Sequence, residues 1–163
     1  MLLRVTSGVA LLSAGLLAGA FGYGAVNLVA GFRAVPLDVR LTFHTALMQT
    51  NGLVMQTTMA VAALAALALA VQTRGRRRLV AGLACGLVVA SFLITRFGNV
   101  PINGQIKVWA VSGAPAGYQA ILSRWETFHE LRTGTAVLAF ALLVWLVLTT
   151  GRARVSGARA ASS

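Results

Sequence analysis

A chain of 163 residues in which 58% are hydrophobic and only 10% charged lacks the mixed polar surface of a soluble domain. With a mean hydropathy of +0.81 it reads as an integral membrane protein. The formal net charge of +11 does not indicate nucleic acid, because phosphate binding needs a basic patch on a soluble face and these cations sit beside apolar runs. The single cysteine, Cys85, lies inside such a run, which excludes an intramolecular disulfide and a cysteine metal cluster.

The first apolar run extends from Val5 to about Phe32, longer than the roughly 20 helical residues that cross a hydrocarbon core. Arg4 followed by an apolar stretch ending Ala18-Gly19-Ala20 has the form of a secretory signal. Because hydrophobicity continues well past Ala20, a retained helix is expected instead. Gly15 with Gly19, and Ala20 with Gly24, are spaced to allow close helix packing.

Gly31 to Arg40 is expected to break the chain, with Pro36 in the first turn of a second helix over 37–72. On that helix Arg40, His44, Met48, Asn51, Met55 and Met59 alternate by four and three and form one stripe, with Thr45, Gln49 and Gln56 beside it. So many hydrogen-bonding groups are costly against lipid, so this face should look into the bundle or a cavity. Cross-helix packing bonds are the simpler role for the amides.

The basic loop from Thr73 to Arg78 marks a cytoplasmic connection. A third span follows from Leu79 to about Phe97, with Phe92, Arg96 and Asn99 on one face at its far end. The Asn99 to Arg132 stretch then stands apart, being neither continuously apolar nor plainly basic, and it contains two of the chain's three acids, Glu126 and Glu130. Pro101 lacks an amide donor and biases Val100 toward extended backbone, which predicts a turn and an irregular connection there. An amphipathic helix should follow, because Tyr118, Trp125, His129 and Arg132 are spaced seven, four and three apart on one face. The last span runs from Thr133 to about Thr150, and the basic tail over 151–163 is expected to be disordered.

The expected fold is therefore all-α: one transmembrane four-helix domain over residues 1–150, with a long non-cytoplasmic segment between helices 3 and 4. With both termini in the cytoplasm, that side carries Arg4, Arg74, Arg76, Arg77, Arg78, Arg152, Arg154 and Arg159, as the positive-inside rule asks of a multi-pass cell-membrane protein. His44, Arg40, Arg96, Asn99, Trp125, His129 and Arg132 then gather toward the opposite face and are candidates to line one pocket.

Asn99-Val-Pro-Ile-Asn103, followed by Trp125-Glu-Thr-Phe-His129-Glu-Leu-Arg132-Thr133, resembles the anthrone oxygenase-like family of small four-helix membrane proteins. In that family a Pro-x-Asn motif follows the third span, and a series of Trp, Asn or His, and Arg precedes the fourth. These positions correspond to Pro101, Asn103, Trp125, His129 and Arg132. The resemblance implies oxidation of a polycyclic aromatic or phenolic substrate by molecular oxygen, without a cofactor. In such a reaction His129 or His44 would act as the base, Arg132 would stabilise the anion and Asn103 would orient it, with Trp125 as a stacking wall. Asn99, Arg96, Asn51 and Tyr118 complete the expected substrate-binding set. Two other classes stay open on the residues alone. One is a haem- or quinone-binding electron carrier using the two histidines as axial ligands. The other is a non-catalytic membrane or partner-binding protein in which Trp125 and Tyr118 are interfacial belt residues.

Overall fold

The structure is a computed structural model that describes residues 1–160, with side chains through Thr149. The expected disordered tail falls on residues 151–163, outside those whose side chains are described. Among the described residues four helices are long and apolar enough to cross a membrane: α1 (Leu2–Ala34), α2 (Leu37–Gln72), α3 (Arg76–Ser112) and α4 (Tyr118–Ala160). The described residues contain no strand.

The connections are short. Val35 is extended ahead of Pro36, the backbone that a following proline favours, so the break between α1 and α2 is only two residues long rather than the expected Gly31 to Arg40. Gly75, at φ 58°, closes the basic loop. Gly113, at φ 83°, ends α3, its amide donating to the Trp109 carbonyl at 2.9 Å, a stop that only a residue without Cβ makes easily.

The expected long segment between the third and fourth spans is instead helical. α3 runs through Pro101 to Ser112, and only residues 113–117 connect it to α4. A π-helical turn over Thr95–Asn99 explains how proline is accommodated, with Val100 donating to the Thr95 carbonyl five residues back. The wider turn shifts the ladder just where Pro101 has no hydrogen to contribute and where its ring would crowd a carbonyl in a regular helix. α1 carries a second π-helical turn over Gly24–Leu28.

Alanine dominates the seams between helices. Ala10, Ala14, Ala65, Ala81 and Ala84 form the layer nearest the chain ends, and Ala62, Ala136 and Ala139 join Leu17, Phe21 and Met59 in the middle layer. Small side chains bring the backbones close, which replaces the hydrophobic drive that lipid cannot supply. Large aliphatics such as Leu12, Leu16, Leu64, Leu83 and Leu138 point outward, as a lipid-facing surface requires. The third layer, at the end away from both termini, is aromatic and holds Phe32, Trp109 and Trp125. Gln72 donating to Thr6 at 3.1 Å and Arg76 lying 5.0 Å over the Trp145 ring bring the chain's beginning, the basic loop and the end of α4 to the other end together.

Two of the glycines expected to pack closely do so. A Cβ on Gly15 would meet the Phe140 ring at 3.1 Å, and one on Gly24 would meet His129 Nε2 at 2.9 Å. Gly98, in the π turn of α3, is tighter still, with the Phe128 ring 2.6 Å from where its Cβ would stand. Each π turn therefore presents a glycine to a ring on α4. Cys85 has the unremarkable role of a small side chain, its thiol 3.5 Å from the Ala63 carbonyl.

Candidate functional site

At about 1.5 Å of rise per residue, Gly24 lies about 33 Å along α1 from Leu2, near the far boundary of a hydrocarbon core about 30 Å thick. A cavity of about 380 Å³ opens at this level, lined from all four helices. The polar stripe of α2 faces it as expected: His44, Met48, Asn51 and Met55 line it together with Gln56, and Met59 is buried in the packed layer next to it. From α4 come Trp125, His129 and Arg132, and from α3 Thr95, Asn103 and Lys107.

The rings form a continuous ladder. Phe32 stacks on His44 at 4.9 Å between centroids, His44 meets Trp125 edge-on at 4.6 Å, Trp125 stacks on His129 at 5.3 Å, and Phe21 meets His129 edge-on. Arg132 caps the series, its guanidinium 4.4 Å from the Phe21 centroid. Each pair has a geometry favoured by ring quadrupoles or by a cation over a ring face.

Hydrogen bonds fix the ladder from α3. The Trp125 indole donates to Asn103 Oδ1 at 2.7 Å, and Asn99, fully buried, donates to the Trp125 carbonyl at 3.0 Å. Both asparagines of the Asn99 to Asn103 motif thus hold Trp125, one by its ring and one by its backbone. Asn99 is accordingly a support under the site rather than part of the cavity wall.

The two histidines differ. His129 Nδ1 accepts from Arg132 Nε at 3.0 Å, with Arg132 Nη2 2.7 Å away, so its lone pair is held by a permanent cation and the ring hydrogen belongs on Nε2. That Nε2 is buried against Gly24. His44 Nδ1 is buried with no partner, and the Asn103 side chain is the polar neighbour of the ring. Arg132 therefore takes one nitrogen of His129, and the other is enclosed beside Gly24. Among the described residues no three His, Cys, Asp or Glu side chains converge as a metal site.

Other expected site residues lie elsewhere. Arg96 is exposed, 5.9 Å over the Phe97 ring, outside the cavity, the outcome expected of a long cation at a helix surface. Tyr118 packs on the aromatic layer and lines a separate depression of about 300 Å³ with Arg33, Arg40 and Glu126. There Glu126 accepts from Arg33 Nε and Arg40 Nη2, both at 3.0 Å. Glu126 thus pairs with arginines of α1 and α2, not with Arg132. Arg40 also lies 5.4 Å over Phe32, which ties this ion cluster to the ladder.

Sequence reasoning missed Phe21, Phe32, Thr95 and Gly98, and read Gly24 only as a packing position. Only Glu126 carried a readable signal: arginines near the ends of apolar spans need acids, and the chain has three.

A four-helix membrane protein with an aromatic and histidine-lined cavity at one end of the bundle is the class that fold and site define. The chain belongs to the anthrone oxygenase family, whose family model matches residues 39–142. The match spans α2, α3 and most of α4, so Phe21, Gly24, Phe32 and Arg33 of α1 stand outside it. No curated protein and no solved structure matches the chain.

Proposed function

We propose that this protein is a cofactor-independent oxygenase of the cell membrane, with both termini cytoplasmic, that oxidises a planar anthrone-like or phenolic substrate with molecular oxygen. The observation that carries this reading is His44, a cavity-lining histidine whose Nδ1 has no hydrogen-bond partner, beside the Trp125 indole and near the half-buried guanidinium of Arg132.

An anthrone methylene is acidified by two flanking rings and the conjugated carbonyl. His44 takes one methylene proton, and the electron pair moves onto the carbonyl oxygen as an enolate, whose charge Arg132 stabilises in a water-poor setting. The enolate carbon combines with oxygen to give a hydroperoxide. Loss of water from that hydroperoxide leaves the quinone carbonyl, so one oxygen atom ends in the product and the other in water. Trp125 and Phe32 supply flat surfaces for the rings, and Asn103 orients Trp125 and His44. His129 serves as a positioning residue, holding Arg132 by its lone pair.

Anthrone turnover in proteoliposomes under oxygen, followed by quinone absorbance and corrected for spontaneous oxidation, tests this. His44→Gln should lose about 100-fold or more, the usual scale of general-base catalysis, while the protein remains folded and inserted. His129→Gln should retain a larger share, its loss arising through Arg132. Full activity in His44→Gln would refute the assignment of the base, and absence of turnover in the parent protein would refute the oxygenase reading.

A further inference from the structure

We propose that the groove between α1 and α2 is a lateral portal, through which a planar apolar aromatic molecule passes from the bilayer to the cavity beside His44. This rests on the aromatic-substrate reading above and adds the route.

The groove has a volume of about 730 Å³ and adjoins the cavity, since Gly24, Leu28, Phe32, Leu47 and Asn51 line both. The π-helical turn over Gly24–Leu28, a distortion frequent at functional sites, borders the groove, with Gly24, Asn27 and Leu28 in its lining. Gly24 and Gly31 add no side chain to the wall, and the space where a Cβ of Gly31 would stand is open. By the same helical rise, Ala20 at the inner end of the groove lies about 27 Å from Leu2, within the depth of the acyl chains. The groove therefore reaches from lipid to the level of the ladder.

Its lining suits one kind of passenger. Val35, Val39, Phe43, Leu47 and Val54 make it apolar, and no charged side chain lines it. Asn27 and Asn51 interrupt that surface; both are exposed, and no hydrogen bond within the described residues holds either amide. An unpaired amide facing hydrocarbon is costly, whereas along a path for a flat ring system bearing a carbonyl or phenol it is a donor waiting for that oxygen. Asn51 stands where groove and cavity meet. Phe32, shared by both and stacked on His44, is the last ring to pass. The cavity's other rim, between α2 and α3, bears Gln56 and Lys107, polar and cationic side chains better matched to water than to an apolar ring.

The test uses full-length protein in nanodiscs with Trp109→Phe and Trp145→Phe, so that Trp125 is the sole tryptophan reporter. Quenching by anthraquinone dissolved in the lipid is followed by stopped flow. Gly31→Leu, which fills the groove, should slow the approach to quenching about tenfold or more, within the one to three decades over which association rates vary among variants, while final quenching is retained. Gly104→Leu, on the cavity's α2–α3 side where a Cβ also meets open space, should leave the rate within about twofold, well below that range. A second form guards against misfolding: Gly31→Cys in a Cys85→Ala background is purified, measured, and measured again after alkylation, and only alkylation should slow it. Unchanged rates after alkylation, or slowing by Gly104→Leu alone, would overturn the portal while leaving the aromatic-site reading intact. Absence of quenching in the parent protein would instead overturn the aromatic-site reading and the portal with it.

Discussion

Replacing Glu126 with glutamine keeps shape and removes charge, and its effect follows from how unequally the two arginines around it are buried. The Arg40 side chain is 9% exposed and that of Glu126 8%, whereas the Arg33 side chain is 62% exposed. Once the carboxylate is neutral, Arg33 turns to water, but Arg40 is left as a buried cation with its Nε already lacking a partner. Leaving one member of a buried pair uncompensated costs about 3–5 kcal/mol, so Glu126→Gln should lose that much in reversible unfolding in mixed micelles, followed by tryptophan fluorescence. Arg33→Gln should lose far less, at the scale of an exposed pair. Combining Glu126→Leu with Arg40→Leu should recover most of the loss, since apolar replacement of a buried pair is often neutral. Equal losses in Glu126→Gln and Arg33→Gln would refute the reasoning, because they would mean that burial of Arg40 does not set the cost. As Arg40 also covers Phe32, the same variant should loosen the stack on His44 and lower affinity for an aromatic ligand.

Three further outcomes are expected. Gly98→Ala should destabilise by about 1–3 kcal/mol, the scale of overpacking, because its Cβ would stand 2.6 Å from the Phe128 ring, whereas Gly134→Ala, with open space around it, should be neutral or slightly stabilising in the same unfolding assay. Activity should rise with pH along one ionisation that His44→Gln removes, because only the neutral imidazole accepts a proton, so activity is lost as pH falls through the histidine's pKa; a profile unchanged by His44→Gln would count against that base. Cysteine placed at position 112 in a Cys85→Ala background should be labelled from outside intact cells and cysteine at position 75 should not, and the reverse pattern would invert the topology and move the cavity to the cytoplasmic face.

The number of spans and the bounds of α2 were legible because apolar runs of this length have one solution in lipid, and Pro36 with Val35 gave a local stop. The polar stripe from His44 to Met55 was legible too, since helical period alone places those residues on one face. What proline rules misjudged was Pro101. A proline reads as a break when the preceding ladder is assumed regular, and the π turn over Thr95–Asn99 removes that assumption. Nothing local announces such a turn, because Gly98 earns its place through Phe128 on another helix.

The site was half legible for a related reason. Spacing put Trp125, His129 and Arg132 on one face, yet spacing cannot say which nitrogen of a histidine is engaged. Arg132 stands one turn after His129, near enough for its guanidinium to hold Nδ1, and that bond separates two histidines that look alike in sequence. Tyr118 shares the same periodic face but sits with the ion cluster, because seven residues carry it about 10 Å along the helix axis from Trp125. Phe32 was hidden by its position in an apolar run, where one ring is indistinguishable from its neighbours until α2 brings His44 against it. The family match begins at residue 39, so α1 supplies Phe21, Gly24 and Phe32 from outside the matched segment. If relatives share the chemistry but differ in the molecules they accept, α1 is where that difference should be built, because it forms one wall of the groove and the far end of the ladder.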